Sequence, residues 1–299
     1  TSNSVVVSAS AATNLTVTTA PSANPQNAIN FTTQPVIQLR DAQGNATTGA
    51  GNVTASITSG GGSLSGTTTV AFVSGVATFT NLAITGTIGA RTITFTSTTA
   101  GSPTTSASVT LVAGTLSNFL VEQQGGGSIG TQAAGAAFNL RLTARDVSDN
   151  TVTSFTGTAT LTSTGTLTGS PLTSAAFSNG VLASQAVTIT NVGSFSITAT
   201  SGSTGTSNTF SVTPGAAVAA QSTASVPAGT AGAVTTITIQ AKDANGNNRI
   251  ATSGAVAVSV TGANTATATV VDNLDGTYTA TYTPTVSGTD NVAITLGGS

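Results

Sequence analysis

Residues 40–45 read Arg40-Asp41-Ala42-Gln43-Gly44-Asn45. Charged residues make up only 5% of the chain, so two opposite charges side by side pose a choice between a chemical site and a turn. The stretch recurs as Arg145-Asp146-Val147-Ser148-Asp149-Asn150 and as Lys242-Asp243-Ala244-Asn245-Gly246-Asn247. The aspartates at 41, 146 and 243 are spaced by 105 and 97 residues. Each copy ends an alternating run: VIQLRD, LRLTARD and ITIQAKD. A repeat of about 100 residues fits a sandwich domain far better than a short solenoid unit.

Other landmarks keep the same step. About thirty residues past each Asn stands a hairpin signal: Ser74-Gly75, Asn179-Gly180 and Asp275-Gly276. Gly next to Asn or Asp permits the positive φ that tight hairpins require. Further on, Gly89, Gly193 and Gly288 each open an alternating strand. The alternation places Ile93 with Phe95, Ile197 with Ala199, and Val292 with Ile294 on one face, the pattern of a half-buried strand. Each repeat reads as about seven strands, A to G. The K/R-D motif ends strand B, and the Gly-led strand is F. Strand G falls at 106–112 in the first repeat and 207–213 in the second. The predicted organisation is repeat 1 over 11–113, repeat 2 over 114–214 and repeat 3 over 215–299, which stops after strand F. Residues 1–10 stand apart. SVVVS at 4–8 precedes ATNLTV as SVTLV precedes GTLSNFLV, so it reads as the last strand of a preceding domain. Two readings follow: a piece of a longer tandem array, or a donor strand that completes the third domain of a neighbouring subunit.

Composition narrows the function. There is no Cys, His, Trp or Met. Without His or Cys there is no Ser-His or Cys-His nucleophile pair and no ordinary zinc site. Eight acidic residues and the single Lys242 leave little for a carboxylate pair or a Ser-Lys dyad, so an enzyme is not expected. Thr and Ser together supply about a third of the chain, and Thr, Val and Ile favour strands. A net charge of −2 gives no footprint for nucleic acid. No apolar run reaches the ~20 residues of a membrane-spanning helix.

The motifs LRDAQGN, TARDVSDN and QAKDANGN, with the later hairpin and the Gly-led strand, resemble bacterial Ig-like repeats of the invasin and intimin type. These are tandem modules of giant cell-surface adhesins or filaments. Repeat 3, with DNLDGTYTATYTPTVSGTDNVAITL, is also similar to filamin-type Ig repeats. The resemblance implies tandem Ig-like Greek-key β-sandwich domains in an elongated rod, placed outside the cell or on its surface. Departures exist: Ala46, Thr151 and Asn248 follow the motif where invasin-type repeats often carry Pro, and Asp149 replaces Gly.

Two readings compete at the motif. As a ligand site, Asp41, Asp146, Asp149 and Asp243 would offer hard oxygen donors to calcium. Calcium wants six to eight oxygens, and each motif supplies one or two carboxylates. As a turn, Arg40, Asp41, Gly44 and Asn45, Arg145, Asp146, Asp149 and Asn150, and Lys242, Asp243, Gly246 and Asn247 divide the work. Asp accepts nearby N–H groups, Gly or its substitute takes positive φ, Asn tolerates the left-handed region, and the basic residue keeps the strand end wet. The turn is the reading adopted. Asp272, Asn273 and Asp275 form the best single calcium candidate, set where a hairpin must turn. Lys242 invites a Lys–Asn isopeptide bond, but Arg40 and Arg145 occupy its place in the other repeats and lack that chemistry. Gly60–Gly62 and Gly125–Gly127 read as loops, and the phenylalanines and Tyr278 with Tyr282 as core or corner residues.

The function expected is therefore an extracellular, non-catalytic stalk or spacer of a long adhesin or filament, without cofactor. Its partners would be neighbouring Ig-like domains or identical subunits, with surface glycans or other cells beyond them. The alternatives are a self-assembling subunit of a filament, sheath or S-layer, or a glycan-binding adhesion module.

Overall fold

The computed structural model describes residues 3–99, 104–105 and 108–297. The predicted strand at 106–112 therefore has residues 106 and 107 outside the described set, as are 1–2 and 298–299 at the ends of the predicted segments. Among the described residues the regular structure is strand throughout, with no helix. No helix is long and apolar enough to cross a membrane, which says nothing of a β-barrel.

The strands in order begin with β1 (Asn14–Thr19), β2 (Val36–Arg40), β3 (Asn52–Ser59), β4 (Ser63–Ser65), β5 (Thr69–Ala71), β6 (Val76–Thr78), β7 (Ala83–Thr85), β8 (Gly89–Ser97), β9 (Thr104–Thr105) and β10 (Val109–Leu111). Next come β11 (Asn118–Gln123), β12 (Gln132–Ala133), β13 (Ala137–Arg145), β14 (Thr160–Ser163), β15 (Leu172–Thr173), β16 (Val181–Thr188), β17 (Gly193–Phe195), β18 (Ile197–Ser201), β19 (Ser203–Thr206) and β20 (Phe210–Thr213). The last are β21 (Thr223–Ser225), β22 (Thr235–Gln240), β23 (Val256–Gly262), β24 (Ala266–Thr267), β25 (Thr269–Asp272), β26 (Thr277–Tyr282) and β27 (Asp290–Leu296).

Two compact units result. One holds Thr1–Leu120, Thr143–Gly157 and Ala176–Val181; the other holds Val121–Leu142, Thr158–Ala175 and Leu182–Ser299. Both joins marked by the sequence repeat, at 113/114 and at 214/215, lie inside a unit rather than between the two.

In the first unit, the sheet β1-β2-β6 faces the sheet β10-β8-β3-β5. Strict alternation supplies the filling. Leu15, Ile37 and Leu39 come from one sheet and Val53, Ala55, Ile93, Phe95, Val109 and Leu111 from the other. Their apolar faces meet while the intervening Thr, Ser and Gln face water, as a two-sheet sandwich demands. Phe79 packs on Phe95 with ring centroids 5.5 Å apart.

In the second unit, the sheet β21-β22-β26-β25 faces β24-β23-β27. Ile237, Ile239, Tyr278 and Ala280 meet Val258 and Leu296 between them. The longer sheet β15-β14-β18-β19-β11-β13-β16 and the short sheet β12-β20-β17 hold the middle of the chain, with Leu140, Leu142, Leu161, Ile197 and Ala199 fully buried. The all-β sandwich class expected from composition and periodicity is the class observed.

Residues 4–8 form no strand in this chain. Val5, Val6 and Val7 are 84%, 89% and 87% exposed. Gly89 opens β8 and Gly288 precedes β27 as predicted, but the run led by Gly193 breaks at Ser196 into β17 and β18, which belong to different sheets. Gly89, Gly193 and Gly288 have φ of 133°, 148° and 152°, a region that L side chains rarely adopt. A Cβ on Gly193 would stand 2.7 Å from the Phe195 ring. The hairpins differ in one detail. Ser74-Gly75 and Asn179-Gly180 take positive φ at both residues, whereas in the third hairpin Leu274 and Gly276 do so and Asp275 does not. That loop runs from Asn273 to Thr277 and is one residue longer than the others.

Candidate functional site: the aspartate joints

The three motif turns share one geometry, built from the backbone upward. Arg40 and Arg145, at the ends of β2 and β13, and Lys242, two residues past the end of β22, bridge back to Ala46, Thr151 and Asn248. The aspartate N–H donates to the carbonyl of the motif Asn at 3.0, 2.9 and 3.0 Å for Asp41, Asp146 and Asp243. Gly44, Asp149 and Gly246 take φ of 85°, 62° and 79° and donate back to the aspartate carbonyl. Asp149 adopts this conformation despite its side chain, consistent with the tolerance of Asp for the left-handed region. Its carboxylate lies 3.6 Å from Arg145 Nη1.

The carboxylates are the centre of each turn. Oδ1 of Asp41 accepts the N–H groups of Gln43 (3.0 Å) and Asn45 (2.8 Å). Oδ1 of Asp146 accepts those of Ser148 (2.9 Å) and Asn150 (3.0 Å). Oδ1 of Asp243 accepts those of Asn245 and Asn247, both at 2.9 Å. The motif Asn side chain then donates to the same carboxylate from Asn45, Asn150 and Asn247. The aspartates accept nearby N–H groups, as the turn reading expected, but away from water. All three are buried, at 0–1% exposure. A carboxylate accepting several N–H bonds needs no water, and its pKa falls accordingly.

The remaining oxygen does what periodicity did not show. Oδ2 of Asp41 accepts the N–H of Ser10 at 3.1 Å, Oδ2 of Asp146 that of Gly114 at 2.9 Å, and Oδ2 of Asp243 that of Gly215 at 2.9 Å. Gly114 and Gly215 are the first residues after the two predicted joins. Each motif aspartate thus grips the chain at the predicted entry to its repeat.

Further bonds reach across each join. Asn27 Nδ2 donates to Asp146 Oδ2 at 2.9 Å, and Asn150 takes the N–H of Ile88 on Oδ1 while its Nδ2 donates to the Gly86 carbonyl. At the second join, Asn247 Nδ2 donates to the Thr190 carbonyl at 2.8 Å. Gly86 and Thr190 both stand three residues before a strand-opening glycine, at 89 and 193. Arg249 adds donations to the carbonyls of Pro214 (3.1 Å) and Gly215.

Two further clamps escaped the sequence reading. Gln38 Nε2 donates to the carbonyls of Leu39, Thr47 and Gly75, and Gln240 Nε2 to those of Ala241, Arg249 and Gly276. Each ties the motif turn to the hairpin glycine. The shared Q-x-[KR]-D spelling of repeats 1 and 3 was the available signal; Thr143 breaks it in repeat 2.

The electrostatics follow the bonds. The Asn45 side-chain amide leads the donors that hold the Asp41 carboxyl down to about 2. Burial pushes Asp146 upward, but the N–H of Gly114, the Asn150 side chain and the N–H groups of Ser148 and Asn150 outweigh it, and its pKa is lowered. For Asp243 burial is likewise outweighed, by the Asn247 side chain and the N–H groups of Gly215, Asn247 and Asn245.

The second candidate lies in the third hairpin. Asp272 Oδ1 accepts the N–H of Leu274, Asp275 Oδ1 accepts both donors of Thr277, and Asn273 Nδ2 donates to the hydroxyls of Thr277 and Thr279. Each side chain serves its own stretch of the hairpin. Among the described residues no group of three or more His, Cys, Asp or Glu is placed to hold a metal ion. Lys242 is half-exposed, two residues past the end of β22. Tyr278 is buried, donates to the Gly254 carbonyl at 2.8 Å and accepts the Ser253 N–H at 2.9 Å, a corner role. Tyr282 donates to Asp290.

The filamin/ABP280 repeat model matches residues 211–299, the part of the chain whose hairpin and Gly-led strand pointed to that family. No curated protein matches the chain in sequence. Among solved structures the chain is similar to FdeC, an Escherichia coli adhesin, at 20% identity over 99% of this chain and 96% of that one, with a TM-score of 0.41. It is similar to invasin, a bacterial integrin-binding protein, at 18% identity over 95% of this chain and 57% of that one, with a TM-score of 0.37. The surface-layer protein SbsC, domains 4–9, shares 17% identity over 96% of this chain and 46% of that one, with a TM-score of 0.28.

Proposed function

We propose that the chain is a non-catalytic structural segment of the bacterial cell surface, an extracellular spacer of a long adhesin or filament. It would comprise three sandwich modules over 11–113, 114–214 and 215–299. The observation that carries this reading is the repeated bond from a buried aspartate to the entry of its own repeat, at Ser10, Gly114 and Gly215. A spacer must transmit force without folding back on itself. Charge-assisted bonds are the stronger class of hydrogen bond. One carboxylate that holds both the turn and the join couples the entry of a module to its core sheet. The composition suits exposure: six Lys and Arg residues leave few sites for trypsin-like proteases, and the absence of Cys removes redox sensitivity.

Stretching single chains between their ends tests the reading. Each module should unfold as a discrete event. Each event should release about 30 nm, from ~100 residues at ~3.3–3.6 Å each less the folded length. Smooth extension without discrete events would count against a mechanical role.

A further inference from the structure

The two joins at 113/114 and 214/215 share the aspartate that holds the connecting peptide, but they differ in what surrounds it. At the first join the centre is Asn27, a side chain of the first repeat that is 1% exposed. Its Nδ2 donates to Asp146 Oδ2 at 2.9 Å, and its Oδ1 accepts the Gly86 N–H at 2.9 Å and the Ser148 hydroxyl at 3.4 Å. Asn150 of the second repeat, also buried, takes the Ile88 N–H and donates to the Gly86 carbonyl. Gly86 thus gives its N–H to Asn27 and its carbonyl to Asn150. The result is one continuous network that ties both the Asn27 and the Gly86 segments of the first repeat to the motif turn of the second.

The second join follows the same plan with one position changed. Asn27 N–H donates to the Val112 carbonyl and Ala134 N–H to the Thr213 carbonyl, in each case two residues before the held glycine. A Cβ on Gly114 would stand 2.4 Å from the Asn27 carbonyl oxygen, and one on Gly215 would stand 3.1 Å from that of Ala134. The next residues, Ala28 and Gly135, both take positive φ, 61° and 77°. Ala134 therefore stands where Asn27 stands. Its methyl group can neither donate to Asp243 nor accept a loop amide. Among the described residues, one hydrogen bond runs from a side chain of the third repeat to the loops of the second, from Asn247 Nδ2 to the Thr190 carbonyl. Asn247 is half-buried, so water competes for that bond. Arg249 donates to the carbonyls of Pro214 and Gly215, which fastens the connecting peptide to the third repeat. Pro214 fixes one φ of that peptide and leaves the neighbouring dihedrals to respond.

A join held at the connecting peptide still pivots about that peptide; bonds set to the side of it oppose the pivot. Movement between neighbouring domains is the default unless their interface is extensive. Buried hydrogen bonds in a connected network resist opening more than half-exposed ones. We propose that the first join is latched stiff and that the second is the hinge, with the difference set by Asn27 against Ala134. The proposal rests on the three-module reading and says where a spacer of that kind yields. The first two modules would keep a common direction, and the third would swing to follow a load.

The absence of Cys lets paired spin labels report each join separately. Ser56→Cys with Thr162→Cys spans the first join, and Thr162→Cys with Thr238→Cys spans the second. All three side chains are exposed on strands and take no part in either join. Pulsed electron spin resonance should give a narrow distribution of distances for the first pair and one about twofold broader for the second. Asn27→Ala, which writes the residue of the second join into the first, should broaden the first distribution toward the second. Ser148→Ala, which removes only the hydroxyl bond to Asn27, should broaden it less. Equal widths in the chain carrying the labels alone, or a first distribution unmoved by Asn27→Ala, would overturn the proposal. The comparison of widths needs no core substitution, so it decides the matter even where Asn27→Ala fails to fold. Stretching tests the module reading on its own: discrete unfolding events together with equal widths would sink the hinge and leave the spacer standing.

Discussion

β8 and β27 share a spelling: a glycine of positive φ opens the first and stands just before the second, and both alternate apolar with polar residues. Their burial differs. Ile93 and Phe95 of β8 are fully buried, whereas Val292 and Ile294 of β27 are half-buried. The flanks explain it. Among the described strands, β8 has β3 on one edge and β9 with β10 on the other, while β27 pairs with β23. Alternation decides which face of a strand turns inward. How deeply that face is buried depends on neighbours that a strand's own sequence does not name.

The sharpest way to break the comparison is to cut the same kind of side chain from both strands. Phe95→Ala should destabilise by about 3–5 kcal/mol in urea unfolding, since it opens a cavity in a closed core. Ile294→Ala should cost about 1 kcal/mol in dilute solution, because Ile294 is only partly buried. Equal losses would show that the difference in burial does not matter.

The joints come next in size. Asp146→Ala strips acceptors from Gly114, Asn27, Ser148 and Asn150 at once. Buried donors left unpaired should cost about 3 kcal/mol in all. Asp41→Ala should cost less, because its entry residue Ser10 is exposed and no counterpart of Asn27 meets it. Thermal melts of the two variants give the order directly, and the reverse order would contradict the account.

Acid should act on the same groups with a smaller effect. The carboxyls of Asp41, Asp146 and Asp243 are all depressed below the ordinary 3.8, Asp41 to about 2. A depressed carboxyl contributes stability that is fully present above its unfolded value and is lost as pH falls through its folded value. Stability should therefore be flat from neutral pH to about 5 and decline below about 4. Asp146→Asn should flatten that decline, a difference visible in melts at pH 3 and pH 7. Calcium stands last. With the Asp272, Asn273 and Asp275 side chains each used within the hairpin, millimolar calcium should leave the melting temperature unchanged. A clear upward shift would restore the metal reading.

Much of this was legible in the residues. Period-two runs located β2, β8, β13 and β22, and the spacing of the three aspartates located the turns. The turn chemistry of Gly44, Gly246 and the motif asparagines was legible too, because it is local. The rest was not. The bonds from Asp146 to Gly114 and from Asp243 to Gly215 span 32 and 28 residues, and only the packed sandwich brings those atoms together. The shift of positive φ from Asp275 to Leu274 reflects one extra loop residue, which a dipeptide signal does not register.

A buried aspartate holds the chain at Ser10, Gly114 and Gly215, the predicted entries of the three repeats. Amide hydrogen exchange at Gly114 and Gly215 tests it most directly. Both N–H groups should exchange as slowly as core-strand amides such as that of Phe95, and Asp146→Asn should release Gly114 while leaving Gly215 protected. Gly114 and Gly215 exchanging at open-loop rates in the unsubstituted chain would contradict it.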